Sequence, residues 1–167
     1  KAIIQENKGK AGARNRGIRE AESNYIIIID SDMIVDSDFV KAHYEAHQKI
    51  EYPCCFEGQA LNMDRLEWPI NGAVLSSQVG KVYDTGKKLG WHYFLTGNIS
   101  FPKDLILNKG GFDERFQSYG WEDVELGYRL SKENIPLYYL KEAINYHYHV
   151  LTQEEEIHRH FSKGQSA

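Results

Sequence analysis

Four consecutive isoleucines, Ile26 to Ile29, stop abruptly at Asp30-Ser31-Asp32. A run that is apolar on both faces suits a strand covered on both sides, so the pattern predicts a central parallel strand at residues 26–29. Helical and extended stretches alternate around it, which argues for an α/β domain. In open sheets of that kind, ligands sit beyond the carboxyl ends of strands. Asp30 and Asp32 stand at that place. Two carboxylates one residue apart on an extended turn can face one site and hold a hard divalent cation through oxygen. A cation so held can neutralise a diphosphate leaving group. The plainer reading is an acidic turn that caps the next helix, and from these residues alone both stand.

The remaining elements follow from local pattern. Ala2-Ile3-Ile4 reads as a short strand, and Glu6-Asn7-Lys8-Gly9 as a turn into a helix over 10–22. Ser37 is placed to cap a helix reaching residue 50, with Asp38 favoured by the helix dipole. Strands are expected at 53–61 and 95–101, and a helix near 76–89. Pro102 suits the first turn of a short helix ending near Gly110-Gly111. An amphipathic helix over 122–133 precedes strands at 135–140 and 143–150, and a polar helix over 152–162.

With 167 residues, of which 41% are hydrophobic and 13% aromatic, the chain has the material for one packed domain. A formal charge of −4 provides no general attraction to nucleic acid or to anionic membrane. No apolar run approaches the roughly 20 residues that span a bilayer. The only cysteines, Cys54 and Cys55, are adjacent, which excludes a disulfide framework and points to a reducing, cytoplasmic setting.

Two other chemistries use the same aspartates. Residues 30–38 superficially follow a calcium loop, but Val35 occupies the position that needs Gly, and Lys41 the one that needs a bidentate Glu. That reading fails. A haloacid-dehalogenase-type phosphohydrolase also places Asp-x-Asp after an apolar strand, with the first Asp as nucleophile. Ile34 stands where its pattern carries Thr or Val, so the rival is weakened but open.

A second signal runs from Gly110-Gly111-Phe112-Asp113 to Tyr119-Gly120-Trp121-Glu122-Asp123 and on to Leu130. Gly120 lets the backbone turn into a helix whose first residues, Glu122 and Asp123, gain from its dipole. The same two carboxylates follow an aromatic residue suited to stacking on a sugar. A carboxylate beside a sugar hydroxyl can remove its proton during attack.

Residues 5–150 resemble the latter two-thirds of family-2 GT-A glycosyltransferases, and 95–130 also resemble the C-terminal part of β-1,4-galactosyltransferases. The matching residues are Glu6-Asn7-x-Gly9, Ala13-Arg14-Asn15-x-Gly17, Asp30-Ser31-Asp32, Thr96-Gly97-Asn98 and the Gly110–Leu130 block. The resemblance implies a GT-A, Rossmann-like mixed sheet flanked by helices, with the remainder of a nucleotide- and metal-binding half over 1–50, an acceptor half over 51–150 and a C-terminal helix over 151–167. It implies inverting transfer from a nucleotide-sugar, a UDP-sugar by resemblance, to a saccharide hydroxyl. Asp30 and Asp32 would hold Mn²⁺ or Mg²⁺ against the donor diphosphate, with Arg14 helping to hold the donor. Asp123 would be the general base and Glu122 would orient the acceptor, while Asn98, Gly120 and Trp121 would line the acceptor side.

His147 and His149 share one face of the last expected strand. The family often supplies a third metal ligand there, and Tyr146-His147 fits that pattern best, with His149 in reserve. His43 and His47, four apart on a helix, lack the third ligand a zinc site needs. Family members normally begin with two further strands that bind uridine, so this chain is expected to lack them. Residues 25–29 would then form an exposed apolar edge able to pair with a second copy. A piece so shortened could also act as a binding module without catalysis.

Overall fold

The computed structural model describes residues 2–70, 75, 81–116 and 120–148, with positions 154, 157, 158, 160, 161 and 164. In chain order the elements are α1 (Gly9–Glu20), β1 (Tyr25–Ile29), β2 (Met33–Val35), α2 (Phe39–Gln48) and β3 (Cys55–Asn62). There follow β4 (Lys88–Leu89), a 3-10 turn (Trp91–Tyr93), β5 (Asn98–Pro102), α3 (Lys103–Asn108), α4 (Glu122–Lys132) and β6 (Leu137–His147).

The strands form one mixed sheet in the order β1-β5-β3-β6-β2, with β4 also paired to β6. Among the described strands only β3 and β6 run parallel; the other pairs are antiparallel. The two-residue side-chain period divides the sheet into two faces. Ile26, Cys55, Ile99, Phe101 and Tyr139 enter one core with residues of α1, α3 and α4. Ile27, Cys54, Phe56 and Leu140 enter the other, beneath α2. The adjacent cysteines therefore belong to opposite cores, and both are free thiols. Among the described residues no helix is long and apolar enough to cross a membrane.

Several expectations are corrected. β1 is bonded antiparallel to β5 rather than lying centrally among parallel strands, and it is an edge strand among the described residues, as expected for an apolar edge at 25–29. Its apolar pattern arises because both faces are covered even though one edge is open. Residues 2–8 form no strand and are exposed, with none of the described strands alongside them. The helix expected at 76–89 is absent over 81–89, where Lys88–Leu89 pairs with β6 instead; 76–80 lie outside the described residues. The two expected terminal strands are one, β6, whose register with β3 shifts opposite Gly58/Gln59. Asp38, not Ser37, precedes α2, and the Ser37 hydroxyl donates to Asp36. The positions described beyond residue 153 are helical, as expected.

Candidate active site

A cavity of about 400 Å³ opens where α1, the turn after β1, the segment before β5 and the start of α4 converge. Its lining includes Arg14, Asp30, Glu57, Thr96, Asn98, Gly120, Trp121, Glu122 and Asp123. Residues from five separate parts of the sequence are thus gathered around one space.

The entry to α4 sets the orientation of the acidic pair. Gly120 has φ 93° and Trp121 has φ 75°, so two successive left-handed residues precede the helix. That conformation costs a non-glycine residue about 1–2 kcal/mol, and such strain gathers at functional sites. Trp121 remains 44% exposed at the cavity wall, while Glu122 is buried.

Glu122 is held by Arg14 of α1, whose Nη1 donates to Oε1. The other oxygen, Oε2, has no hydrogen-bond partner among the described residues. The same guanidinium lies 3.9 Å from Asp30 Oδ1 and 5.5 Å from the centre of the Phe112 ring. Arg14 therefore links the turn after β1 to the start of α4. Asp123 accepts the Val124 N–H at 2.8 Å and is also bonded by the Thr96 backbone amide. Burial, and then the neighbouring Glu122 charge, hold its carboxyl above the ordinary carboxylate range; the amides and Arg14 only partly oppose them. A carboxylate of raised basicity at the edge of a cavity is what a general base requires.

Asn98 lines the cavity, but its side chain serves the fold. Its Nδ2 donates to Ala143 O at 2.8 Å and to Asn145 Oδ1 at 3.1 Å, and its Oδ1 lies 3.0 Å from His43 Nε2. Ser100 Oγ lies 2.8 Å from His43 Nδ1 and 3.0 Å from His47 Nε2. Asn145 donates in turn to Gly97 O at 2.8 Å. The two histidines of α2 thus belong to a buried polar layer that fixes residues 97–100. Gly58 is required beside it, since a Cβ there would stand 2.3 Å from Asn98 Oδ1.

The turn aspartates part company. Asp30 faces Arg14 and the cavity, whereas Asp32 Oδ2 lies 3.2 Å from His147 Nε2. Strand pairing causes this contact, because Met33, next to Asp32, is opposite His147 in the β2–β6 register. Among the described residues no three side chains of metal-binding type are gathered into a cage. Magnesium-type sites rarely need one, as one or two carboxylates usually share the ion with substrate phosphates and water. Asp32 and His147 are 38% and 26% exposed, so an oxygen- and nitrogen-bound divalent cation fits their chemistry and access. His149 lies outside the described residues.

Two contributors escaped the sequence reading. Glu57 on β3 is buried in the cavity wall, accepting the Leu95 N–H at 3.3 Å. Burial, aided by the nearby Asp123 charge, raises its carboxyl well above the usual range, against the Leu95 hydrogen bond. One acid in the otherwise apolar Cys54–Gly58 stretch was the available signal. Asn15 was part of a matched motif but had no role. Its side chain bonds both the Phe112 N–H and the Phe112 carbonyl at 2.8 Å, and Glu114 at 2.9 Å.

Residues 2–101 match the family described as "Glycosyl transferase family 2", and residues 79–153 match "N-terminal domain of galactosyltransferase". Validoxylamine A glucosyltransferase of Streptomyces hygroscopicus subsp. jinggangensis (strain 5008) is 29% identical over 86% of this chain and 40% of its own length. Chondroitin synthase of Escherichia coli is 26% identical over 90% of this chain and 26% of its own. Hyaluronan synthase of Pasteurella multocida is 27% identical over 97% and 20%. The chain thus spans two-fifths or less of the length of these three relatives. A crystal structure of GalNAc-T7 with UDP, GalNAc and Mn²⁺ superimposes with a TM-score of 0.67 at 15% identity, covering 89% of this chain and 32% of that one. Staphylococcus aureus TarS 1-349 gives 0.59 at 14% identity, covering 87% and 42%. These likenesses give the fold as GT-A, and by its sequence match the chain belongs to glycosyltransferase family 2.

Proposed function

We propose that this chain carries the acceptor-activating part of an inverting sugar transfer from a UDP-linked donor to a saccharide hydroxyl. The observation that carries the reading is Asp123, a carboxylate of raised basicity beside the Trp121 platform and within a cavity reached by Arg14 and Asp30. An acceptor ring would stack on Trp121, and its attacking hydroxyl would pass its proton to Asp123 as oxygen adds to the anomeric carbon. Glu122, fixed by Arg14, would use Oε2 to receive a second acceptor hydroxyl. That bond would satisfy an otherwise costly buried oxygen. Arg14 and Asp30 mark the donor side. Asp32 and His147 would hold Mn²⁺ or Mg²⁺, with Asp30 alongside, and the ion would supply charge neutralisation for the departing diphosphate.

The relatives' names support the reaction class, and the GalNAc-T7 structure contains UDP and Mn²⁺. The match over residues 2–101 leaves the phosphohydrolase reading of Asp30 without support. The test is transfer by the intact protein across a panel of UDP-sugars and saccharide acceptors. Asp123→Asn should abolish UDP release while donor affinity stays within about twofold, because the change removes a proton acceptor but little volume. Near wild-type turnover by that variant would sink the proposal.

A further inference from the structure

Sugar acceptors are commonly read by aromatic platforms, and the shape of this protein places more of them than the cavity uses. Leu95 and Trp121 stand at the cavity wall 43% and 44% exposed. Val124 lines the same wall, and Tyr128 lies one helical turn further along α4, 44% exposed. The Tyr128 ring meets Trp91 edge to face at 5.4 Å, and Trp91 is itself 41% exposed. Gly127 makes this approach possible, since a Cβ there would stand 2.5 Å from the Trp91 carbonyl oxygen. Aromatic and apolar side chains therefore run from the cavity wall along α4 to the 3-10 turn, with Lys132 Nζ 5.1 Å from the centre of the Tyr128 ring at the far end. From Trp121 to Tyr128 the helix advances about 10 Å, which exceeds one sugar ring.

We propose that Trp121, Val124, Tyr128 and Trp91 form a row of subsites for the non-reacting sugars of an oligosaccharide acceptor. The inference rests on the sugar-transfer reading and adds that the acceptor is a chain of at least three residues rather than a monosaccharide. Continuity with the cavity identifies the occupant, because a chain whose terminal hydroxyl reaches Asp123 must leave past Trp121. Aromatic faces bury the C–H face of a sugar while its hydroxyls stay in water. A protein partner is a poorer fit. The three aromatic side chains, each exposing about two-fifths of its surface, present roughly 200–300 Å², below the roughly 800 Å² per partner that a stable complex covers.

The test uses chondroitin and chito-oligosaccharides of one to six residues, titrated into the intact protein by ligand-observed NMR. For at least one series, affinity should rise with length up to three or four residues and then level off. Tyr128→Ala and Trp91→Ala should each weaken binding of the longer chains about fivefold to tenfold and leave the monosaccharide unchanged. Circular dichroism of both variants checks that α4 persists, and Tyr128→Phe, which keeps the ring, should bind like wild type. No binding by either series, no length dependence, or equal binding by Tyr128→Ala and Trp91→Ala would overturn the subsites. Length-dependent binding without transfer would instead defeat the catalytic reading and leave the subsites standing.

Discussion

Lowering the pH from about 7.5 to about 5 should destabilise this protein through His43 and His47. Burial pushes His43 from 6.5 down to about 4, although its bond to Asn98 acts the other way. His47 falls to the same value, through burial and then the nearness of His43. In the unfolded chain both would protonate near pH 6.5, so the unfolded state binds more protons between about pH 6.5 and pH 4. The stability these imidazoles contribute is complete above 6.5 and is lost as pH falls towards 4. At pH 5 the linkage is worth about 2 kcal/mol for each ring. The two share Ser100 and disfavour each other's charge, so about 3 kcal/mol is the reasonable total, against a typical domain stability of 5–15 kcal/mol. Glu57 works in the opposite direction, since a raised carboxyl binds its proton in the folded state first. Urea unfolding of wild type and of His43→Gln/His47→Gln at both pH values separates the two contributions. Wild type should lose about 3 kcal/mol more than the double variant on acidification. Equal losses would refute the account.

Three further outcomes follow from the site. Asn15→Ala should lower stability by about 2–4 kcal/mol, because it strands the buried amide of Phe112, and a loss under 0.5 kcal/mol in thermal melts would contradict the clamp. The acid limb of kcat/KM should lie above the ordinary carboxylate range and fall as Asp123 protonates. In Glu122→Gln it should move to lower pH, since a charge that raises Asp123 is gone; an unmoved limb would separate the limb from Asp123. His147→Ala should weaken Mn²⁺ binding about tenfold in paramagnetic relaxation measurements with UDP present, and unchanged relaxation would remove His147 from the metal site.

Much of the α/β alternation was legible because Ile26 to Ile29, the amphipathic residues of α4 and the glycines at 110–111 carry local signals. What failed was non-local. An apolar five-residue strand reads alike in parallel and antiparallel pairing when both faces are covered, so the antiparallel bonding of β1 to β5 was not legible. Lys88 and Leu89 have no strand signal of their own and become a strand by pairing with β6. Arg14, Asp30, Asn98, Gly120, Trp121, Glu122 and Asp123, which the family resemblance assigned to donor, acceptor and catalytic roles, line one cavity, whereas Asp32 and His147 pair with each other outside its lining. The family resemblance put Asn98 on the acceptor side; the partners that occupy its amide, Ala143, Asn145 and His43, lie 45–55 residues away in sequence and leave no local trace. Glu57 went unnoticed for the same reason: its neighbours in sequence are apolar and its neighbour in space is Asp123.

The clamps around the cavity have a consequence for how the chain acquires its site. Asn15 reaches Phe112 across 97 residues, Arg14 reaches Glu122 across 108 and Asp32 reaches His147 across 115. Each closes a long loop, and loop closure must be met before such a contact returns any stabilisation. Local pieces such as α4 or the β5–α3 turn can form early, but none of them contains a working half of the cavity. During synthesis, Arg14 must wait for more than a hundred further residues before Glu122 exists to receive it. The acidic pair and the turn aspartates therefore come into register together, late and cooperatively, so that a chain with its cavity assembled is one whose sheet is already complete.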